Sequence, residues 1–233
     1  MKKIILSLVC SLSLLAPISA NKLPLIIDHD GGVDDIIAAS VQLLHNPERV
    51  KAITAEVLHY NPELKSKIHC MYMMGGALHV DGNVVKDDND GSAEWNIHNN
   101  PQAFLEILKL GIPLKLIALD ATQYTPIRPE FIAKLEENIS KAPCRLVYES
   151  LQIIKHLIDC GQYMFWDTLT SAVVINPKII KTKKVKINVE ISGHSTGKIF
   201  EDKNGFEAEV ATWADQELFE KTVLDILLKE LTE

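Results

Sequence analysis

Asp28-His29-Asp30-Gly31-Gly32-Val33-Asp34-Asp35 places four carboxylates within eight residues, directly after the apolar run Leu23 to Ile27. Like charges this close repel unless something positive sits among them. A hard cation meets that need, because Ca2+ takes roughly six to eight oxygen ligands in a flexible shell. A purely structural reading stands beside it: Asp34 and Asp35 fall in the first turn of a helix, where carboxylates suit the dipole, and Asp30 would be its cap. An EF-hand loop beginning at Asp28 needs an acidic residue at its twelfth position, where Ala39 stands. A phosphatase loop of the Asp-x-Asp kind continues with Thr or Val where this chain has Gly32, and it has no use for the following Asp-Asp pair.

The surrounding elements read as an α/β fold. Strand-like apolar runs occur at Leu23 to Ile27, Val50 to Thr54, His69 to Met74, Ile112 to Leu119 and Lys186 to Ile191. Helix-period segments lie between and after them, at Asp34 to Leu44, Pro101 to Leu110, Pro129 to Asn138, Leu146 to Asp159, Thr168 to Ile175 and Ala214 to Leu231. Strands alternating with helices, several of them continuously apolar, predict a mostly parallel, Rossmann-like open sheet with helices on both faces. In such sheets ligands bind beyond the carboxyl ends of the strands, so the loops there should carry the chemistry.

Composition narrows the partner. The 233 residues carry 24 Lys+Arg against 31 Asp+Glu, a formal charge of −7, which argues against a nucleic-acid binder and for a small ligand or a cation. Hydrophobic residues make up 47% of the chain, enough for a core and against disorder. Met1 to Ala20 reads as a signal peptide, with Lys2 and Lys3 before an apolar stretch and a small-residue exit at Ala20. Its removal leaves a charge of −9 and a protein expected in the periplasm or outside the cell, with no membrane contact. Cys70, Cys144 and Cys160 then remain, an odd and sparse set that frames no disulfide network and no Cys-x-x-Cys metal site.

Several further stretches share a pattern with the acidic loop. They are Met73 to Val84 (MMGGALHVDGNV), Gly91 to Ala103 (GSAEWNIHNNPQA), Leu119 to Pro126 (LDATQYTP) and Phe165 to Pro177 (FWDTLTSAVVINP). With DHDGGVDD, and in this order, they resemble the signature segments of the inosine-uridine nucleoside hydrolase family over nearly all of residues 21–233. Trp166 before Asp167, where many members carry His, resembles the purine-preferring branch. The resemblance implies a Ca2+ held by Asp30, Asp35, the Thr122 carbonyl and Asp167. It implies ribose hydroxyls held by Asp34, Asn96 and Asp167, Asn83 and Glu94 near the 5′ end of the sugar, and Trp166 stacked on the base. The implied reaction is hydrolysis of the N-glycosidic bond of a purine nucleoside by a metal-held water, with Asp30 as general base. It also implies a homo-oligomer.

The chemistry required agrees with those residue types. Breaking an N-ribosidic bond develops oxocarbenium charge on the sugar, so carboxylates belong near the ring and a water at the anomeric carbon. A metal ion can template both, and a stacked indole can favour the protonated form of the leaving base. One interval departs from the family. Only 38 residues (36–73) separate Asp35 from Met74, where the family carries several more strand-helix units, and a junction near 56–61 reads as an internal deletion in an otherwise single domain. Two functions therefore stay open: a Ca2+-dependent hydrolase, and a catalytically inactive remnant that binds calcium or a ribosyl ligand.

Overall fold

The computed structural model describes residues 25–27, 32–46, 50–53 and 68–229; the first two carboxylates of the acidic loop, Asp28 and Asp30, the signal-peptide stretch and the 56–61 junction lie outside them. The chain opens with a β-α-β unit. Strand β1 (Leu25–Ile27) and β2 (Val50–Ile53) pair in parallel, joined through helix α1 (Val33–His45). The backbone N–H of Gly32 donates to the Asp35 carboxylate at 3.0 Å, which ties down one end of α1, and Ile37, Ala38 and Val41 form its buried face.

A second sheet has five strands in the order β3-β4-β7-β5-β6. Strands β3 (Met71–Met74) and β4 (Leu114–Ile117) run in parallel, and β4 is parallel to β7 (Phe206–Ala214). Strand β5 (Ile180–Val189) is antiparallel to β7 and to β6 (Ile199–Glu201), so the sheet is mixed, with its parallel part at one side. The antiparallel part exceeds the expectation: β5 begins six residues before Lys186, and β6 and β7 were not among the anticipated strands.

Helices cover both faces, as the alternation within strands requires. Leu116 and Val210 point to a core with Ile97, Phe104, Leu108, Ile187 and Ile199, under α2 (Trp95–Asn99) and α3 (Pro101–Leu110). Their neighbours Ile117 and Ala211 point the other way, to a larger core. There α1 meets α5 (Pro129–Glu137), α6 (Ala142–Ile153), α8 (Trp166–Ile175) and the last helix α9 (Gln216–Leu227). Two short helices, α4 (Leu119–Thr122) and α7 (Lys155–Asp159), complete the set among the described residues. Pro101 and Pro129 stand at the first turns of α3 and α5, where a missing N–H costs nothing.

Two local devices hold the site elements. Phe165, just before α8, lies 5.1 Å from Phe131 and 5.2 Å from Phe219, ring centre to ring centre, and so pins the start of that helix into the core. Helix α1 meets α8 across small residues: Ser171 Oγ donates to the Ala38 carbonyl at 2.8 Å, and Gln42 Nε2 donates to the Ser171 carbonyl at 2.7 Å. Cys70, Cys144 and Cys160 are unpaired thiols, and no helix among the described residues is long and apolar enough to cross a membrane.

Candidate active site

Three loops converge where the parallel strands end. The first corner joins α1 to α8. Asp34, 7% exposed, accepts a 2.8 Å hydrogen bond on Oδ1 from the Tyr163 hydroxyl, and its backbone carbonyl accepts from Thr168 Oγ1 at 3.5 Å. Tyr163 in turn meets the Trp166 indole edge-on, with centroids 4.7 Å apart. Burial and the nearby negative charges of Asp34 and Asp167 push the Tyr163 hydroxyl well above its usual range, so it stays a donor. The first turns of α1 and α8, bearing Asp34-Asp35 and Asp167, thus lie side by side.

The second corner follows β3. Gly76 has φ +79°, and a Cβ there would lie 2.6 Å from the Ile199 side chain, so only glycine fits. Its N–H donates to Glu94 Oε2 at 2.9 Å. Glu94 also caps α2, accepting from Asn96 N at 2.9 Å and Ile97 N at 3.1 Å, and is 1% exposed. Burial pushes its carboxyl upward, and the three backbone N–H groups pull the other way. Asn96 donates its amide to Met74 Sδ at 3.2 Å, and Asn83 accepts the Trp95 N–H on Oδ1 at 2.8 Å.

The third corner follows β4. Asp120, 3% exposed, accepts from Leu78 N at 2.8 Å and His79 N at 2.9 Å, fastening the Gly76–His79 loop to α4. Thr122 is fully buried, and its carbonyl accepts both the N–H and the hydroxyl of Thr125 at 2.9 Å. The Thr122 hydroxyl itself is buried without a hydrogen-bond partner in the protein.

Between these corners lies a cleft of about 540 Å³, bordered by His79, Asn83, Thr122, Gln162, Met164 and Trp166, among others. Of the residues anticipated from sequence, Asn83, Thr122 and Trp166 line this cleft, while Asp34 and Asp167 are grouped around Tyr163. Asn96 and Glu94 sit at the Met74–Gly76 corner, with Glu94 spent largely on backbone. Asp30 is outside the described residues, within which no group of three His, Cys, Asp or Glu side chains is placed to hold a metal. Asp87-Asp88-Asn89-Asp90, the other acidic run, forms a turn closed by bonds to Ser92, Ser195 and Thr196. Tyr163, Asp120 and His79 carried no anticipated role; only their partners in space reveal them.

An open, partly parallel sheet with its polar cleft at the strand ends and an aromatic beside helix-borne carboxylates defines an α/β fold with a ligand-sized site. The family model described as inosine-uridine preferring nucleoside hydrolase matches residues 54–221, and the chain belongs to that family. The pyrimidine-specific ribonucleoside hydrolase RihB of Escherichia coli (strain K12 / DH10B) is 26% identical over 179 residues, which are 74% of this chain and 55% of that relative. Among solved structures, the inosine-uridine preferring nucleoside hydrolase from Bacillus anthracis superposes with a TM-score of 0.68 at 22% identity, covering 88% of this chain and 61% of the other. The purine-preferring ribonucleoside hydrolase from Gardnerella vaginalis gives 0.60 at 21%, covering 90% and 64%. The fold is theirs, and the chain spans little more than half the length of RihB.

Proposed function

We propose that the protein hydrolyses the N-glycosidic bond of ribonucleosides, releasing free base and ribose. The observation that supports this reading is the Asp34–Tyr163–Trp166 chain at the adjoining first turns of α1 and α8, with Trp166 on the border of the cleft and Asp34 linked to it through Tyr163. Asp34, held on one oxygen by Tyr163, keeps the other for a ribose hydroxyl. Asn96 and Asn83, each fixed through its amide, orient the rest of the sugar. The Thr122 hydroxyl, buried at the cleft without a protein partner, takes a polar group of the ligand. Asp30 serves as the base for the attacking water.

The donors at the two helix turns are carboxylate oxygens, a set that suits a hard cation. Asp30, Asp35, the Thr122 carbonyl and Asp167 would hold Ca2+. When bound, the ion supplies positive charge that gathers the sugar diol and lowers the pKa of nearby water. Trp166 favours purines, because a larger ring offers more stacking area. Release of base from inosine, guanosine and uridine, followed by chromatography with and without a chelator, tests the whole reading. We expect purine release that chelation abolishes and Asp30→Asn lowers by about two orders of magnitude or more. No release by soluble, folded protein would refute it.

A second reading follows from the 38-residue interval and the 55% coverage of RihB: a remnant that binds calcium or a ribosyl ligand without turnover. Calorimetry showing heat with Ca2+ or ribose, together with no turnover, would select it. We further infer export with cleavage after Ala20, which N-terminal sequencing of the protein from the producing cells decides.

A further inference from the structure

We propose that Thr125 is a positioning residue that fixes two walls of the cleft relative to each other. One wall is Thr122 and Gln123, at the end of α4; the other is Met164 and Trp166, at the start of α8. For the ligand between those walls this rests on the nucleoside-hydrolysis reading above, and for the geometry on the residues themselves. Thr125 is fully buried and is not one of the residues that border the cleft, so it acts through its neighbours.

The two walls are joined through this residue. On the α4 side, Thr125 donates both its N–H and its hydroxyl to the Thr122 carbonyl, each at 2.9 Å. On the α8 side, its carbonyl accepts the Phe165 N–H at 3.0 Å, and its Oγ1 lies 3.5 Å from the Phe165 carbonyl oxygen. The next residue continues the join, because Pro126 forms an antiparallel bridge with Met164. The α8 side is anchored independently, since the Phe165 ring is held by Phe131 and Phe219 in the main core. The α4 side is therefore the one that moves when the join is altered.

A threonine has one hydroxyl proton, and two carbonyl oxygens, one from each wall, face the same Oγ1. The proton goes to the nearer, that of Thr122. Valine has the shape of threonine but puts a methyl at that place, and a carbon keeps about 3.3 to 3.6 Å from a carbonyl oxygen. The Phe165 oxygen already stands at such a distance, whereas the Thr122 oxygen has to retreat by roughly half an ångström, taking the end of α4 with it. Trp166 reports such a movement: its indole packs against Met74, Ala77 and Leu119, and Leu119 belongs to α4. A ligand held by both walls loses its reactive alignment through displacements of this order.

The test compares Thr125→Val with Thr125→Ser, which keeps the hydroxyl, after circular dichroism has confirmed that each is folded. On inosine, the valine variant should lower kcat by about 10- to 100-fold with KM within about threefold of wild type, because each wall keeps its own contacts and only their alignment changes. The serine variant should keep kcat within about threefold of wild type. Trp166 emission, read in a protein carrying Trp95→Phe and Trp213→Phe, should shift with Thr125→Val and stay in place with Thr125→Ser. Thr125→Ala removes the hydroxyl without crowding the carbonyl, and it should show the same kcat loss and emission shift in a smaller measure if the valine variant does not fold. A lowered unfolding midpoint with kcat and emission of the folded protein unchanged marks a role in stability alone and overturns the proposal. Equal losses with valine and serine overturn it too, since the hydroxyl is then not the cause. Folded wild type that releases no base from inosine sinks the hydrolase reading, and the emission comparison still decides whether Thr125 sets the walls.

Discussion

Replacing Glu94 should cost stability in a way that separates its capping work from any contact with substrate. Its two oxygens satisfy three N–H groups, from Gly76, Asn96 and Ile97, in a site 1% exposed. Each hydrogen bond to a charged acceptor contributes about 1.5 to 3 kcal/mol net, and each orphaned buried donor costs about 1 to 3. Glu94→Ala removes all three acceptors, and partial hydration of the space left behind offsets some of the loss, so we expect about 3 to 5 kcal/mol. Glu94→Gln keeps one oxygen for Gly76 and Ile97 but turns an NH2 toward Asn96 N–H, for about 1 to 2 kcal/mol. Urea unfolding followed by circular dichroism at neutral pH measures both. The pH dependence has a defined sign: burial raises the folded-state carboxyl above its ordinary 4.5, so the folded chain holds a proton that the unfolded chain has released. Stability from Glu94 is thus fully present below the unfolded value and is lost as pH rises through the folded one. Glu94→Gln should remove that slope. A Gln variant within about 0.5 kcal/mol of wild type, or one with an unchanged slope just above pH 4.5, would refute the reasoning.

The remaining predictions concern neighbouring groups. Thr122→Val deletes a buried hydroxyl with no protein partner and should leave stability unchanged or raised by up to about 1 kcal/mol, while weakening nucleoside binding; a stability loss above about 1 kcal/mol would show that the hydroxyl is satisfied in the free protein. Tyr163→Phe keeps the ring against Trp166 and removes the bond to Asp34, so kcat/KM should fall about tenfold with the unfolding midpoint shifted only slightly; Tyr163→Leu should add a red shift in Trp166 emission, read in a protein whose other two tryptophans are Phe. Arg128 pairs with Glu220, whose side chain is 6% exposed, through two bonds and with Glu217 through a third; Arg128→Met should cost about 2 to 4 kcal/mol in urea, with little change on adding salt.

Helices were legible where punctuation and period agreed. Pro101 to Leu110 has proline at its start, an apolar stripe and Gly111 in the left-handed region at its end, and the observed α3 has those bounds. The antiparallel strands were obscured by composition. In β5 the buried Val185, Ile187 and Val189 alternate with exposed or half-exposed neighbours, but the exposed Lys181, Lys183 and Lys184 ahead of them interrupt the apolar pattern. In β7 the alternation rests on Ala208 and Val210 beside Glu207 and Glu209; alanine and glutamate favour helix by propensity, and it is the strands on either side that make them strand. The site was legible as motifs and not as connections. Leu119-Asp120-Ala121-Thr122 was marked for its threonine, yet the structure makes Asp120 the member that ties two loops together, a role set by residues 41 and 42 positions away.

The distribution of polar bonds shows what holds the cleft in place. What positions the cleft comes from the parallel strands β3 and β4 and from the α1–α8 contact, while the antiparallel β5 and β6 contribute core on one face and a rim carboxylate, Glu201, on the other. Helix α1 carries Asp34 and Asp35, and it is fastened to α8 by side-chain bonds at Gln42, Ser171 and Tyr163 as well as by Ile37 and Val41 in the main core. Asp120 and Glu94 perform the corresponding work for the Gly75–His79 loop, each carboxylate accepting backbone N–H groups from a segment distant in sequence. Both anchors are buried carboxylates that accept main-chain N–H groups, so they set the backbone geometry of the loop directly. A ligand's fit to this chain therefore depends on the side chains that this frame presents at the border of the cleft, His79, Gln123, Gln162 and Trp166 among them.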